Sequence, residues 1–227
     1  MKILVLLLLS ASLSAAIIDP EQHGRNQKIM GEAIARGGWE SAEEISLNLV
    51  SIGQMALQRG FDVGAYAIDR RGEEQRFTME PVWEGDPLPV TLFVYIWPHE
   101  EEALARVPDS RAYGSVIHRH PIPCAVTVIR NSIYQTLYRE LTDGTNRLAE
   151  PISEERLVPG DLSYDDQSAP FIHRFVSRAS GEPTVTLHAY GAPTAAAVKG
   201  MFEETFQECI FPYVKCGKTA PVSSYLQ

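Results

Sequence analysis

The period of the sequence changes after Gly60, and this change limits the fold more than any other feature. Short apolar, β-branched and aromatic runs occupy 64–68, 75–79, 90–97, 125–129, 133–140, 171–176 and 184–190. Successive side chains of a strand point to opposite faces, so runs of this length read as half-buried or fully buried strands. Turn-forming residues separate them: Asp69-Arg-Arg-Gly72, Glu84-Gly-Asp-Pro87, Arg130-Asn-Ser132, Pro159-Gly-Asp161 and Ala179-Ser-Gly181. Many short strands with Gly/Pro punctuation predict a mainly β chain, a sandwich or barrel with the jelly roll among the candidates.

Before Gly60 the pattern is helical. Ile29, Ala33 and Ala35 mark a mildly apolar face, and Ile45, Leu47, Leu49, Ile52, Met55 and Leu57 recur at three- and four-residue steps across 39–59. Ser41 followed by Glu43 and Glu44 suits a helix start, where a hydroxyl and carboxylates meet unpaired N–H groups. Gly60 suits its end. Helical patterns also cover 99–107, an insertion between strands, and 194–209 near the C-terminus. The expected organisation is a helical segment at 17–62 packed on a barrel, the barrel at 63–193, and a short C-terminal helix with a tail at 194–227.

The 227 residues are 44% hydrophobic and 22% charged, enough for one domain with an ordinary core. The formal net charge of -9 argues against a nucleic-acid partner, which needs a basic face. Residues 1–16 have a positive start at Lys2, an unbroken apolar run from Ile3 to Leu9 and small residues up to Ala16. This is the pattern of a secretory signal peptide. It predicts a secreted or periplasmic protein with no membrane attachment after cleavage, and a monomer is expected. Of the cysteines Cys124, Cys209 and Cys216, the last two are close enough in sequence to pair in an oxidising compartment, leaving Cys124 over.

Cys124 closes the stretch Gly114-Ser-Val-Ile-His-Arg-His-Pro-Ile-Pro-Cys124. On a strand His118 and His120 share one face. Neutral imidazole is a common ligand for divalent metals. A third histidine, His173, lies in a later strand-like run that follows the Pro159-Gly160 turn, and Tyr190 ends a further run. His23 and His99 read as surface residues. Cys124 has two readings, a small buried hydrophobe or a site residue.

Two blocks resemble the cysteine dioxygenase family of thiol dioxygenases, which are cupins. One is Ile117-His-Arg-His-Pro-Ile-Pro-Cys124 with Asn131-Ser-Ile-Tyr-Gln-Thr-Leu-Tyr138. The other is Ile172-His-Arg-Phe-Val-Ser with Gly181-Glu-Pro-Thr-Val-Thr-Leu-His-Ala-Tyr190-Gly-Ala-Pro193. The resemblance spans roughly 75–193. It implies a cupin β-barrel (jelly roll), Fe(2+) held by His118, His120 and His173, and a small thiol and O2 as substrates. It further implies that Tyr190 orients them and that Cys124 stands where the family has a cysteine able to form a thioether to that tyrosine. Thr186 and His188 match a relay that would polarise the phenol.

A cupin metal site commonly adds a Glu after His-x-His; here Cys124 occupies that region, as in the three-histidine family it resembles. The chain departs from that family in its signal peptide, in the insertion at 99–107, in the loop before Cys124 and in the run that would read the substrate. The loop before Cys124 is one residue shorter than usual. The family reads a substrate carboxylate with an Arg after Tyr-Thr, whereas this chain has Arg76-Phe77-Thr78-Met79. A thioether cannot replace a guanidinium in pairing with a carboxylate, so Arg76, Arg119 or another basic residue becomes the candidate reader, with Phe77 and Met79 as pocket wall or core. Two functions follow: a thiol dioxygenase acting on cysteine or a related thiol, or a non-catalytic secreted cupin that binds a metal or small ligand.

Overall fold

The computed structural model describes residues 17–67, 78–85, 88–97, 115–142, 147–169, 171–178, 183–200 and 204–208. The chain opens with β1 (Ile17–Ile18), α1 (Pro20–Gly37), α2 (Ala42–Leu47) and α3 (Leu49–Gln58). A 3-10 turn and β2 (Tyr66–Ala67) follow, then β3 (Thr78–Glu84), β4 (Thr91–Trp97), β5 (Ile117–Arg119), β6 (Cys124–Arg130) and β7 (Ile133–Thr142). The remainder is β8 (Arg147–Leu157), β9 (Leu162–Asp165), β10 (Ile172–Val176), β11 (Thr184–Tyr190), α4 (Ala195–Lys199) and β12 (Glu204–Glu208).

β1 pairs with β2, and the other ten strands described make two five-membered sets. One is an open sheet in the order β3-β4-β11-β6-β9, antiparallel throughout. The other closes on itself as β10-β5-β12-β8-β7, with β12 and β8 the parallel pair. The mainly β, cupin-type double-sheet barrel is the fold class expected from the sequence.

Alternation along the central strands divides the core. Leu92, Val94 and Ile96 of β4, Ala125 of β6, and Val185, Leu187 and Ala189 of β11 face Met30, Ile45, Leu49 and Ile52 of the helices. Phe93, Tyr95 and Trp97 of β4, Cys124, Val126 and Val128 of β6 and Tyr190 of β11 point the other way. There they meet Ile133 of β7, Leu157 of β8 and Phe175 of β10. Helices therefore seal one face of the open sheet and the second sheet seals the other, which is why β4 and β11 are buried along their whole length. Full burial of one Leu, Ile or Phe contributes about 1.5–3 kcal/mol, so this double-sided strand set dominates the hydrophobic stabilisation.

Local signals act where expected. Ser41 caps α2 by accepting the Glu44 N–H at 3.1 Å, and Asp19 caps α1 by accepting from Glu21 and Gln22. Gly60 takes φ 91°, past the end of α3. Other expectations need correction. Leu47 and Leu57 stand 48% and 39% exposed, because each lies off its own helix's buried face, Leu47 about 200° round α2 from Ile45 and Leu57 about 140° round α3 from Ile52. His23 is half-buried and pairs its Nδ1 with the Tyr66 hydroxyl at 3.1 Å. The C-terminal helix stops at Lys199, and 204–208 form a strand because β5 and β8 offer open backbone edges on both sides. Residues 1–16, the 99–107 insertion, Cys209, Cys216, Arg76 and Phe77 lie outside the described residues.

Candidate metal centre

β5 and β10 run antiparallel, with His118 and His173 as direct partners. Cross-strand partners share a face, so register alone brings the first and third histidines together. His120 follows β5 two residues after His118 and returns to the same face. Each of the three is at most 5% exposed. Their candidate ligand nitrogens lie within 4.8 Å of one another, and among the described residues this grouping contains neither carboxylate nor thiol.

Hydrogen bonding determines what each ring can offer. His118 Nδ1 lies 2.8 Å from the Val116 carbonyl. A carbonyl only accepts, so Nδ1 carries the proton and Nε2 presents its lone pair. That lone pair faces His120 Nε2 at 3.1 Å, close to the spacing of two nitrogens bound about 2.0–2.1 Å from one ion. His173 Nε2 is buried without a partner. Its Nδ1 lies 3.1 Å from the side-chain nitrogen of Gln135, whose Oε1 is also buried and unpartnered. A half turn of that amide places Oε1 on Nδ1–H, satisfies the oxygen and leaves the Nε2 lone pair for an ion. Metal-ligating histidines usually donate their second N–H to such an oxygen. Burial, reinforced by the neighbouring imidazoles, holds His120 and His173 well below the ordinary histidine range. They stay neutral at physiological pH, the form that ligates. The three histidines thus fit a metal ion.

Tyr190 stands beside this cluster, its ring edge-on to His120 with centroids 5.2 Å apart. Its neighbour across β6 is Cys124, 2% exposed, and the Cys124 and Tyr190 backbones are direct partners. Thr186 and His188, the residues of the implied relay, are in hydrogen-bond contact: Thr186 Oγ1 accepts the Trp97 indole N–H at 2.8 Å and lies 2.8 Å from His188 Nε2. His188 Nδ1 is buried without a hydrogen-bond partner, and burial followed by the nearby His118 lowers its pKa to about 3. The Tyr190 hydroxyl meets the hydroxyl of Tyr95, at 2.9 Å. Met79 Sδ receives the Tyr95 hydroxyl at 2.7 Å.

Arg119 points away from the histidines. Its guanidinium pairs with Glu204 and Glu140 and covers the Phe206 ring, so it does not serve as the carboxylate reader. Sequence reasoning passed over Tyr95 and Gln135. Tyr95 was visible by alternation, since it shares the Phe93/Trp97 face of its strand; Gln135 is two residues from buried Ile133 on β7 and is itself a fully buried amide, which calls for a partner.

Fold and site together define a cupin-type barrel whose interior carries a three-histidine cluster able to bind a metal. No protein-family model and no curated protein matches the chain. Among solved structures it is similar to the cupin-2 domain of an XRE-family transcriptional regulator from Enterobacter cloacae, at 15% identity and TM-score 0.32, over 53% of this chain and 100% of that one. It is similar to a cupin-2 domain from Rhodospirillum rubrum at 15% identity and TM-score 0.36, over 56% and 72%. A third is a DMSP lyase from Ruegeria pomeroyi, at 14% identity and TM-score 0.33, over 51% of this chain and 47% of the lyase.

Proposed function

We propose that this protein is a secreted or periplasmic iron(II)-dependent thiol dioxygenase that converts a small thiol to its sulfinate. The observation that carries the reading is a set of three buried imidazoles, no carboxylate in their grouping, beside the Cys124–Tyr190 pair. Three neutral ligands leave the charge of a divalent ion uncompensated, so an anionic ligand such as a thiolate is favoured. Iron(II), when bound, would supply a Lewis-acidic position for the thiolate and electron density for dioxygen. The reaction balances without a further reductant: thiol and O2 give sulfinate and one proton, both oxygen atoms ending on sulfur.

The chain's own residues do the rest. His118 keeps its proton on Nδ1 against Val116 and offers Nε2. Phe93 packs edge-on against Tyr190, and Phe175 against His173; this aromatic wall excludes bulk water. Tyr190 orients the bound ligand through its hydroxyl.

A second reading has its own observation. Met79 and Tyr95 form a neutral wall where the resembling family has a carboxylate-binding arginine, which suits a protein that holds a metal or small ligand without turning it over. Oxygen uptake by the iron-loaded protein, measured against cysteine, aminothiols and carboxylate thiols, separates the two. Thiol-dependent uptake lost in His173→Ala is expected. Stoichiometric iron with no uptake on any thiol would leave only the binding reading.

A further inference from the structure

Three strands of the open sheet bring their ends to one rung. Tyr190, the last residue of β11, is directly opposite Cys124, the first of β6, and Cys124 is directly opposite Asp165, the last of β9. Direct partners share a face, so Asp165 points to the inner side with Cys124 and Tyr190. The alternation of β9 agrees: Leu162 and Tyr164 pack on the helix-side core, which sends Ser163 and Asp165 inward. The chain passes between the two sheets twice at this end, from His120 to Cys124 and from Asp165 to His173. Two strand spacings, about 10 Å, separate the Asp165 and Tyr190 backbones, so carboxylate and phenol flank Cys124 from either side.

Asp165 is 3% exposed and is the one buried acidic side chain among the described residues, where no arginine or lysine is buried. Its carboxylate accepts the Gln167 N–H at 2.8 Å and the Gln167 side-chain nitrogen. An ionised carboxylate has about four acceptor positions, so these two bonds leave capacity. Among the described residues no cation pairs with it. The charge that acts on it, Asp166, has the same sign, and burial raises its pKa. Buried carboxylates are normally paired with a cation or a metal, and the three-histidine grouping does not include Asp165. Gln167, which covers the carboxylate, is itself exposed, so its amide can turn out into solvent. The inner side of the barrel thus offers a negative group and, among the described residues, no positive side chain.

We infer that Asp165 receives the ammonium group of the thiol, so that this centre takes small thiols carrying a protonated amine. The inference rests on the dioxygenase reading, whose substrate class it names. With the thiolate at the histidine centre, an ammonium directed along the Tyr190–Cys124–Asp165 rung replaces the Gln167 amide and supplies the counter-charge that the carboxylate lacks. An anionic tail in the same place meets Asp165 and is repelled. Asp165 is therefore a specificity determinant.

Equilibrium binding to cobalt(II)-loaded protein under argon tests this without turnover. The thiolate-to-metal absorption band reads occupancy by 2-aminoethanethiol, by its neutral counterpart 2-mercaptoethanol and by 3-mercaptopropionate. The aminothiol is expected to bind about ten-fold or more tighter than either, the size of a charge-assisted hydrogen bond. Asp165→Asn, which keeps the shape and removes the charge, should narrow the difference several-fold, and Asp165→Glu should keep most of it. Equal affinities in the wild type overturn the inference without recourse to a variant. A preference of undiminished size in Asp165→Asn overturns it as well. In both cases the thiolate band itself leaves the dioxygenase reading in place. If no thiol gives a band, that reading falls and the inference falls with it.

Discussion

Cys124 and Tyr190 face each other across β6 and β11 as direct partners in the antiparallel register. Directly opposed residues place their Cβ atoms about 4.5–5.5 Å apart on one face. The pairing continues past the strands, since Gly191 N–H donates to the Pro123 carbonyl at 3.0 Å. A Cβ at Gly191 would sit 3.3 Å from Pro123 Cδ, so the close approach of the two chains is matched to glycine there. The short Pro121–Pro123 loop therefore still brings Cys124 into register opposite Tyr190.

That register leads to a covalent prediction. Iron-loaded protein turning over a thiol in air is expected to join Cys124 Sγ to the Tyr190 ring, with one hydrogen lost from each and dioxygen as oxidant. Intact-mass measurement should show a loss of two hydrogens, and digestion should link the two peptides. Cys124→Ser and Tyr190→Phe should each keep the unmodified mass. An unchanged mass in the wild type after many turnovers would show that the pair serves packing alone.

Arg119 is expected to be dispensable for ligand binding. It is spent on Glu204, Glu140 and the Phe206 ring, in a part-exposed network where an ion pair contributes about 0–1 kcal/mol. Arg119→Ala should lower stability by no more than about 1 kcal/mol and leave the thiol KM within about two-fold, the difference a few tenths of a kcal/mol makes. A KM raised ten-fold or more with unchanged kcat would return Arg119 to the site.

Much of this arrangement was legible in the sequence because its elements bury alternate residues. β4, β6, β7, β10 and β11 all lie within or close to the runs read as strands. The meeting of His118 with His173 was implied by the family resemblance of the two blocks that carry them. What escaped depends on partners remote in sequence. β8 is exposed continuously from Pro151 to Arg156, Ile152 included, so no alternation marks it. β12 is a strand only because β5 and β8 flank it; locally its sequence follows on from a helix. Tyr95 was passed over because the atoms its hydroxyl meets, Met79 Sδ on β3 and the Tyr190 hydroxyl on β11, are remote from it in sequence.

Gln135 is expected to govern metal affinity. It is fully buried, and its side-chain nitrogen lies against His173 Nδ1. With its oxygen turned onto that nitrogen it holds His173 in the ligating tautomer. Gln135→Leu should weaken iron(II) or cobalt(II) binding by about 10–100-fold, the usual cost of losing such a support. Gln135→Glu, which keeps an acceptor, should retain most of the affinity. Competition against a chelator reads both without any assay of activity. Equal affinities in wild type and the leucine variant would remove Gln135 from the centre.

The metal-free protein should lose stability on mild acidification. Burial holds His120 at about 2, His188 at about 3 and His173 well below the ordinary value of 6.5. Their folded-state pKa values are depressed, so the unfolded chain binds protons that the native state refuses. Stability is therefore full above about pH 7 and falls as pH drops through about 6.5. Each group contributes a slope of up to about 1.4 kcal/mol per pH unit once the unfolded imidazole is protonated. The lowered carboxyls of Glu154 and Glu204 act in the same direction, but only nearer about pH 4, where carboxylates titrate. Glu80 and Asp165, raised by burial, act in the opposite direction, so a fall that begins near about pH 6.5 is the histidines' contribution. Urea midpoints at about pH 7.5 and 5.5, on either side of the imidazole range, measure it. The midpoint should drop on acidification, less so in His188→Gln. Bound metal should steepen the fall, because protons compete with the ion for the same nitrogens. A midpoint that stays flat across this window would mean that water or counter-charge reaches these rings, and that they are not the neutral, dry ligand set their burial implies.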